Sequence, residues 1–357
     1  MYSLSDAELL NLKVQVLLKG SRLPIKAEVD LQAISVHQDL DAAGMFAMEF
    51  GNWDPTKGKV TWVDDNLFDI GTQVEIQIGY QNNLISLMGG EITGLEPEFQ
   101  LDVIAPILIV RGHDLRHRLL RGRKTRSFTK LKDSEIVSQI AVERGLQPQV
   151  KDTQVKLDYV LQANQTDLEF LQERAKRIGY EVVVENKTLY FHPHQNDTQK
   201  VLTLTREDDL IEFRPRLSAM GQVSNVEVHS WNFKDKKAFT GKAAAGSENS
   251  TMKGSTSGPQ KVNQAFGKAT HVIVSEPGSN QAEADRMAMG QFNEMALTYI
   301  SGEGICLGFP ELQPGRVIEI TGVGNRFSGL YYVTSATHFY HKDRGYVTNF
   351  TVRRNAA

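Results

Sequence analysis

The sequence predicts a β-rich α+β fold in which two antiparallel β regions flank a small α+β module. Apolar and polar residues alternate through much of residues 1–110, and alternation returns towards the C-terminal end. Between these regions, from about residue 128, the apolar residues recur with the period of a helix. We therefore expect three units in chain order, at residues 1–115, 116–198 and 199–357.

The first β region shows its alternation most clearly in "TQVEIQIGY". Val74, Ile76 and Ile78 lie on one face of the predicted strand, with polar residues between them. Similar short runs recur between Gly, Asn and Asp residues, namely "KVQVLL", "IKAEVDL", "MFAMEF" and "ILIVRG". This spacing predicts an antiparallel barrel or sandwich.

The central module begins with a helical stretch, "KDSEIVSQIAVERGL". Asp133 is the expected N-cap, and Gly145 suits the left-handed residue that ends many helices. The apolar stripe consists of Ile136, Val137, Ile140 and Ala141. One helix is therefore predicted between residues 133 and 145.

A second helix follows in "DLEFLQERAKRIGY". Thr166 and Glu169 fit a capping box, and Gly179 with Tyr180 marks the change from helix to strand. Near the negative end of the helix dipole stand Arg174, Lys176 and Arg177. We interpret these acidic and basic residues as helix-end chemistry, not as a catalytic site.

A hairpin is predicted directly after this helix. "YEVVVE" and "TLYFHP" have the composition of strands, and residues 186 and 187 form the turn between them. The hairpin is expected to pack on the helix and to complete the α+β module.

The second β region is predicted to contain an insertion. Residues 241–262 are rich in Ser and Gly and offer little to bury, so we expect a flexible surface loop there. A helix is expected at about residues 280–300, where Ala284, Met287, Phe292 and Met295 supply apolar positions. Alternating strands with Gly turns resume in "PGRVIEITGVGNRFSGLYYVTSATHFYHKDRGYVTNFTVRRN".

Composition excludes some classes of protein. Lys and Arg number 40 against 43 Asp and Glu, so the net charge of −3 selects no partner. The single cysteine, Cys306, is expected to be a buried core thiol, because one cysteine provides neither a disulfide nor a thiolate metal site. No apolar run is long enough for a signal peptide or a membrane span, so we expect a cytosolic chain without membrane insertion.

Candidate chemistry is sparse. His192 and His194 stand two residues apart, as a metal pair would, but a four-ligand site needs further ligands, which the neighbouring sequence lacks. His338 and His341 are similar, and we expect them to be solvated strand residues. Since no hydrolase, phosphate-binding or dinucleotide motif occurs in its proper context, we expect no catalytic residue, metal or cofactor.

The strongest charge cluster is a basic run between residues 111 and 132. It contains Arg111, Arg116, Arg118, Arg121, Arg123, Lys124, Arg126, Lys130 and Lys132. Three interpretations remain open, namely a solvated connector between domains, a charged protein interface and a nucleic-acid surface. Because aromatic residues that could stack on bases are not interleaved, the run indicates no nucleic-acid specificity.

Three blocks of the sequence give it a resemblance to a known family. They are "FDIGTQVEIQIGY" with "MGGEITGLEPEF", then "NQTDLEFLQERAKRIGYEVVVENKTLYFHP", then "PELQPGRVIEITGVGNRFSGLYYVTSATHFY". In this order they resemble the phage late control D family, the hub proteins of contractile tails, whose fold also forms the front part of VgrG spike proteins. The middle block is the most specific of the three.

The resemblance implies two tube-like antiparallel β-barrels separated by the module, and a homotrimer that presents six similar barrels. Inner tube protein on one side, a spike protein on the other, and baseplate proteins around the hub are then the expected partners, with a cargo effector as a further one. VgrG-type members continue into a needle, whereas this chain ends at "TVRRNAA", so we expect the needle to be a separate polypeptide.

The main functional hypothesis is therefore a non-enzymatic hub that joins a sixfold inner tube to a threefold spike and frames a cargo channel. It would be assembled in the bacterial cytoplasm as part of a tail-like particle. The alternatives are a cell-wall hydrolase associated with a baseplate and a nucleic-acid-binding adaptor built on the basic run. The residues expected to matter structurally are Gly179, Tyr180, Pro314, Gly315, Gly329 and Tyr331.

Overall fold

Strands from both ends of the chain lie in one large, mostly antiparallel sheet. The structure is a computed structural model that describes residues 11–81, 83–99, 106–196, 199–232, 236–274, 278 and 280–357. The β-rich class and the antiparallel character are confirmed. The described strands follow an open path and do not close into a barrel, so the arrangement of two tube-like barrels stays a prediction.

The described part of the N-terminal β region consists of seven strands and one short helix. They are β1 (Leu12–Leu18), β2 (Ser21–Arg22), α1 (Ile25–Asp30), β3 (Leu31–Asp39), β4 (Met45–Gly51), β5 (Gln73–Tyr80), β6 (Asn83–Glu98) and β7 (Ile107–Asp114). Alternation along β3, β4 and β5 places one face of each strand in a common core that includes Val36, Phe46 and Ile76.

The module follows a 3₁₀ turn at Leu115–Leu120. Its elements are β8 (Lys124–Lys132), α2 (Asp133–Glu143), β9 (Gln147–Val150), β10 (Lys156–Gln165), α3 (Asp167–Arg177), β11 (Tyr180–Glu185) and β12 (Thr188–Pro193). The predicted capping box of α3 is present, with Thr166 and Glu169 bonded reciprocally. The hairpin of β11 and β12 turns at Asn186 and Lys187, as predicted.

Asp133 does not cap α2 as the sequence suggested. The N-cap is Lys132, whose backbone N–H donates to the Glu135 carboxylate at 2.8 Å. Asp133 is the first helical residue, and its buried carboxylate instead accepts two hydrogen bonds from Arg174, at 2.7 and 3.1 Å. Because Glu135 already serves the helix start, Asp133 is available to tie α2 to α3.

The C-terminal β region carries the remaining described elements. They are β13 (Leu202–Thr205), β14 (Leu210–Leu217), β15 (Asn225–Asn232), β16 (Lys237–Ala244), α4 (Gly258–Phe266), β17 (Thr270–Ile273), α5 (Gln281–Leu297), β18 (Ile300–Leu307), β19 (Val317–Thr321), β20 (Gly329–His341) and β21 (Gly345–Arg354). The segment from β15 to α5 is inserted between β14 and β18 and forms its own sheet in the order β16-β15-β17.

The Ser/Gly-rich segment has more structure than the composition indicated. Strand β16 continues to Ala244, and α4 begins at Gly258 with Ser257 as its N-cap. Between them Met252 is buried with Leu297 and Tyr332, so the segment does contribute to a core. One buried methionine can anchor a polar stretch, and the flexibility of residues 241–262 stays a prediction.

Three larger cores lie beneath these elements. One belongs to the N-terminal β region and one to the sheet of the C-terminal region. The third joins the module to residues of the insertion, including Val226, Val228 and Phe292. Helix α5 therefore packs on the module, and the division of the chain into three domains stays a prediction.

Candidate assembly surface

The two β regions repeat one five-strand pattern. In the first, β3, β4, β5, β6 and β7 lie in the sheet order β3-β4-β7-β6-β5. In the second, β14, β18, β19, β20 and β21 lie in the order β14-β18-β21-β20-β19, which is the same permutation of five consecutive sheet strands. Each neighbouring pair is antiparallel in both regions.

The repeat extends to the positions of the β-bulges. The first strand pair shifts register between Leu31 and Ala33 in one repeat, and between Leu210 and Glu212 in the other. A second shift lies between Ile92 and Gly94, and between Val333 and Ser335. When the bulges of the two repeats are aligned, Ala33 corresponds to Glu212 and Gly94 corresponds to Ser335. The residues that follow each bulge can then be matched one to one between the repeats.

A backbone joint makes the two repeats one sheet. Strand β20 of the second repeat pairs with β3 of the first, from Ser335 opposite Asp39 to His341 opposite Ala33. The His37 imidazole and the Thr337 hydroxyl lie 2.8 Å apart across it. The joined sheet contains a run of eight strands in the order β14-β18-β21-β20-β3-β4-β7-β6, and continues beyond β6 to β5, β1 and β2.

The two faces of this sheet differ in chemistry. On one face Ile34, Val36 and Ala336 are buried in the cores. The other face is half-buried or exposed at most of its positions. It carries exposed apolar residues, such as Met45 and Phe339, and the polar residues Ser35, His37, Ser335, Thr337, Asn349, Thr351, Glu303 and Arg214. Polar residues of this face therefore lie in both repeats, although Ala47 and Ile109 on the same face are buried.

The tip of the module hairpin rests against the first repeat at a glycine pair. Gly89 and Gly90 lie in β6, and a Cβ at Gly89 would collide with the Asn186 side chain of the hairpin turn. A Cβ at Gly90 would collide with the His113 carbonyl. The "MGGE" sequence therefore fits a point of close approach, which the sequence alone does not reveal.

Part of the basic run forms ion pairs with buried carboxylates. Asp167 is fully buried and receives Lys124 at 3.0 Å, Arg126 at 3.1 Å and Arg144 at 2.6 Å. Burial raises the pKa of this carboxyl, but hydrogen bonds from Gln162, Lys124 and Arg144 bring it below its usual value. None of the three interpretations drawn from the sequence anticipated this pairing.

Other members of the run bind acidic residues nearby. Arg111 lies 2.7 Å from Glu96, and Arg116 pairs with buried Asp114 at 2.8 Å. Arg118 and His117 both bind the Glu91 carboxylate. These ion pairs consequently link β6, β7 and the 3₁₀ turn that precedes the module.

A polar cluster lies where the module, α5 and the second repeat meet. His194 bonds through Nδ1 to the Glu181 carboxylate, and its Nε2 lies 2.9 Å from Glu294. The Tyr332 hydroxyl also donates to Glu181, and Arg353 binds Glu294 at 2.9 Å. The cluster borders a cavity of about 430 Å³, at the junction of these elements.

The charges of this cluster stabilise each other. Burial alone would lower the pKa of His194, but its hydrogen bonds to Glu181 and Glu294 raise it to about 10. The hydrogen bond from His194 lowers the pKa of Glu294 to about 2, against the opposing effect of burial. His194 is therefore charged across the neutral range.

Because of this cluster, the stability of the fold should decrease as the pH becomes alkaline. Because the folded-state pKa of His194 lies above its ordinary 6.5, its contribution is complete below pH 6.5 and is lost as the pH rises through about 10. We expect the His194→Gln variant to be less stable than wild type at pH 6, by a margin that shrinks between pH 6.5 and 10. Urea unfolding at pH 6, 8 and 10 measures it.

The control for this experiment is His192→Gln, two residues away on β12, whose stability should run parallel to that of wild type. A constant difference between His194→Gln and wild type over the whole pH range would contradict the ionised cluster.

Gly179 lies where α3 meets α5. It ends α3 with φ of +68°, and a Cβ added there would lie 2.7 Å from the Cα of Gly290 in α5. Tyr180 opens β11, with its ring centroid 5.0 Å from that of Phe191. The helix stop is thus also the contact point of the insertion.

The other positions expected to matter lie in the second repeat. Gly329 has φ of +141°, and a Cβ there would lie 2.7 Å from the Arg354 guanidinium. The same guanidinium stands 5.7 Å from the ring centroid of buried Tyr331. Gly315 has φ of +79° and donates to the Val333 carbonyl at 2.9 Å, next to Pro314.

The histidine pairs are not arranged around a common ion. His338 is fully buried, not solvated as predicted, and its Nδ1 lies 2.7 Å from the Tyr346 hydroxyl. Burial lowers its pKa to about 3. Among the described residues, no group of three or more His, Cys, Asp or Glu could hold a metal ion.

Two further sequence-based expectations concern burial and membranes. Cys306 is fully buried, as predicted, and desolvation raises the pKa of its thiol. Within the described part of the chain, no helix is both long and apolar enough to cross a membrane.

The family is given by a match over most of the chain. A family model described as the Alg8 N-terminal domain matches residues 8–341, and the chain belongs to this family. The late control D family is therefore not confirmed by this match. No curated protein matches the sequence.

Several solved structures share the β-rich fold of this chain. A 43 kDa tail protein of prophage MuSo2 from Shewanella oneidensis has 13% identity and a TM-score of 0.70, with 96% of this chain and 98% of that chain covered. A Neisseria meningitidis tail protein has 14% identity and a TM-score of 0.67, covering 96% and 97%. An Escherichia coli type VI secretion component, described as similar to T4 tail proteins gp27 and gp5, has 14% identity and a TM-score of 0.59, covering 96% and 77%. The chain has the fold of these proteins.

Proposed function

We propose that this chain is the structural hub of a contractile tail-like particle or injection system. In this proposal it forms a homotrimer that joins a sixfold inner tube to a threefold spike and frames the channel for cargo. The observation that carries the proposal is the repeated five-strand pattern joined into one sheet through β3 and β20.

The repeat addresses a symmetry mismatch. A chain with two similar units offers six units when three copies assemble, so one ring can present six equivalent positions and still have threefold symmetry. Separate cores under the two repeats support the proposal that each forms one tube-like barrel domain. The module and the insertion share a core and occur once in each chain. They would therefore lie at three positions around the ring and make its symmetry threefold, although it presents six similar units.

The exposed face of the joined sheet suits the wall of a channel. Its serine, threonine and asparagine side chains keep the surface hydrated, and its charged residues have both signs. A wall of this kind would have little affinity for a passing polypeptide, which is what passage requires. We propose that tube protein contacts one rim of the ring, that the spike contacts the other, and that baseplate proteins surround it.

The experiment that tests this proposal is quantitative proteomics of the fast-sedimenting particle fraction from the native host. We expect the chain to pellet with sheath, tube and spike proteins at about three copies per particle, as a trimer requires. Recovery in the soluble fraction while sheath and tube pellet would contradict the hub.

The proposal assigns no catalytic step to the chain. We expect the purified chain to leave a suspension of peptidoglycan turbid over hours, at concentrations where a hydrolase control clears it. Clearing by the chain would favour the cell-wall hydrolase instead.

A further inference from the structure

The run of eight strands from β14 to β6 has two edges that no described strand covers. One is β14 at one end, and the other is the second half of β6, residues 94–98, which pairs with β7 alone. In the repeat, β6 corresponds to β20 and β14 corresponds to β3. These two free edges are thus the counterparts of the strands that form the joint within the chain.

We propose that the free edge of β6 in one copy pairs with the free edge of β14 in the next copy, in the register of the joint between β20 and β3. The inference rests on the proposed ring, and it names the contact that closes the ring. An edge-to-edge contact of this kind is head-to-tail, the type that generates rings from identical subunits.

The bulges fix the register of the proposed joint. Ser335 corresponds to Gly94, and Ala33 corresponds to Glu212. When the residue pairs between β20 and β3 are transferred to the two free edges, Glu96 takes the place of Thr337 and Arg216 takes the place of His37. These two residues then lie opposite each other. In the same way Glu98 takes the place of Phe339 and lies opposite Arg214, which takes the place of Ser35.

The charges at these positions are complementary. Each pair joins an exposed glutamate on one edge to an exposed arginine on the other. Opposite charges directly across an antiparallel pair stabilise it, and like charges destabilise it. Two complementary pairs in succession favour this register over shifted ones.

The opposite face of the proposed joint is apolar. Leu95 would lie opposite Leu217, and Phe99 would lie opposite Phe213, as Tyr340 lies opposite Ile34 within the chain. Phe99 is 63% exposed in the single chain, a large apolar surface without cover. The next copy would cover this ring against a core that already contains Phe213.

A proline on each edge modifies the joint. Pro97 and Pro215 would lie opposite each other, where His338 and Val36 lie within the chain. Proline has no N–H group, so the joint between copies forms fewer backbone hydrogen bonds than the joint within the chain. Side-chain pairs must then contribute a larger share of the free energy of association. The prolines also protect single chains from unspecific pairing at these edges.

Cysteine cross-linking tests the register. Glu96 and Arg216 lie at opposite ends of the eight-strand sheet, roughly 30 Å apart at strand spacing, so a disulfide between Glu96→Cys and Arg216→Cys must join two copies. The native Cys306 is fully buried and adds little background. We expect oxidation of the double variant to give head-to-tail species up to a covalent trimer, in purified chain at high concentration and in the particle fraction.

The matched control is Glu49→Cys with Arg216→Cys. Glu49 lies on the same sheet face, two strands from the edge, and would stand roughly 14 Å from Arg216 of the next copy. A disulfide needs Cα atoms closer than about 7 Å, so this pair should give no covalent trimer. Equal linkage of both pairs, or linkage of neither, would overturn the proposed joint.

Charge reversal tests the pairing energetically. We expect Arg216→Glu to weaken association between copies on the order of tenfold, and Glu96→Arg in the same chain to restore it. Glu96 also pairs with Arg111, but that pair is exposed and its loss should cost little stability. Lys261→Glu, an equal charge change at an exposed position of α4, should leave association unchanged.

Cross-linking and particle proteomics together distinguish an error in the proposed joint from an error in the proposed hub. If the chain pellets at about three copies per particle but the Glu96–Arg216 link does not form, the hub stands and this joint is wrong. If the link forms in purified chain while the native chain stays out of particles, the joint stands and the hub is wrong.

Discussion

Replacing Gly179 with valine lowers the free energy of unfolding by about 2 to 5 kcal/mol. The first cause is conformational, because φ of +68° costs an L-residue about 1–2 kcal/mol. The second is steric, because the new Cβ would lie 2.7 Å from the Cα of Gly290 on α5. Backbone atoms cannot swing aside as a flexible side chain can, so α5 must shift away from the module. Chemical denaturation of the purified variant measures the loss.

Gly145→Val separates the two causes. Gly145 also ends a helix, with φ of +73°, but a Cβ there meets only the end of Arg118, at 4.0 Å. This control should lose only the conformational part, about 1–2 kcal/mol. If both variants lose the same amount, the contact with Gly290 has no energetic role, and if Gly179→Val keeps wild-type stability, the helix stop is misplaced.

Replacing Arg174 with methionine lowers the free energy of unfolding by about 3–5 kcal/mol. Arg174 and Asp133 are both buried and form two hydrogen bonds at 2.7 and 3.1 Å. Methionine fills most of the arginine's volume but leaves the Asp133 carboxylate buried without its cation. Loss of the charge, and not a cavity, would therefore cause the effect.

Lys176→Met is the matched control on the same helix. Lys176 pairs with Asp41 at 3.1 Å, but both side chains are more than half exposed, at 66% and 62%. Exposed pairs of this kind contribute about 0–1 kcal/mol. Thermal unfolding of the two variants side by side should show a large loss for Arg174→Met alone, and equal small losses would show that the buried pair contributes no more than a surface pair.

Local features of the fold were accessible from the sequence. The capping box at Thr166 and Glu169 and the hairpin turn at residues 186 and 187 depend on neighbours within a few residues, so their pattern is visible in the chain. The left-handed glycine at Gly179 is of the same kind. The alternation of the strands likewise predicted which side chains would be buried.

The joint between β3 and β20 was not accessible in this way. It pairs residues about 300 positions apart, such as His37 with Thr337, and nothing in either strand specifies its partner. The two repeats share bulge positions and strand order but not residue identity, so comparing one half of the sequence with the other does not show them.

Charged residues misled the interpretation for a related reason. In sequence, Arg174 looks like helix-end chemistry and Arg126 like part of a basic surface, because the acidic partners stand 41 residues away in both cases. Burial of Asp133 and Asp167 follows from how α2 and α3 pack, not from their own segments. Only the tertiary structure distinguishes such pairs from a solvated charge cluster.

In the proposed hub, two repeats in each of three chains form one ring between tube and spike. Cryo-electron microscopy of the intact particle, focused on the end of the inner tube, tests it most directly. We predict six copies of the five-strand repeat around the particle axis, contributed by three chains, with the module and insertion at three equivalent positions. Density for this fold away from the axis, or at the axis with one or six chains, would contradict the claim.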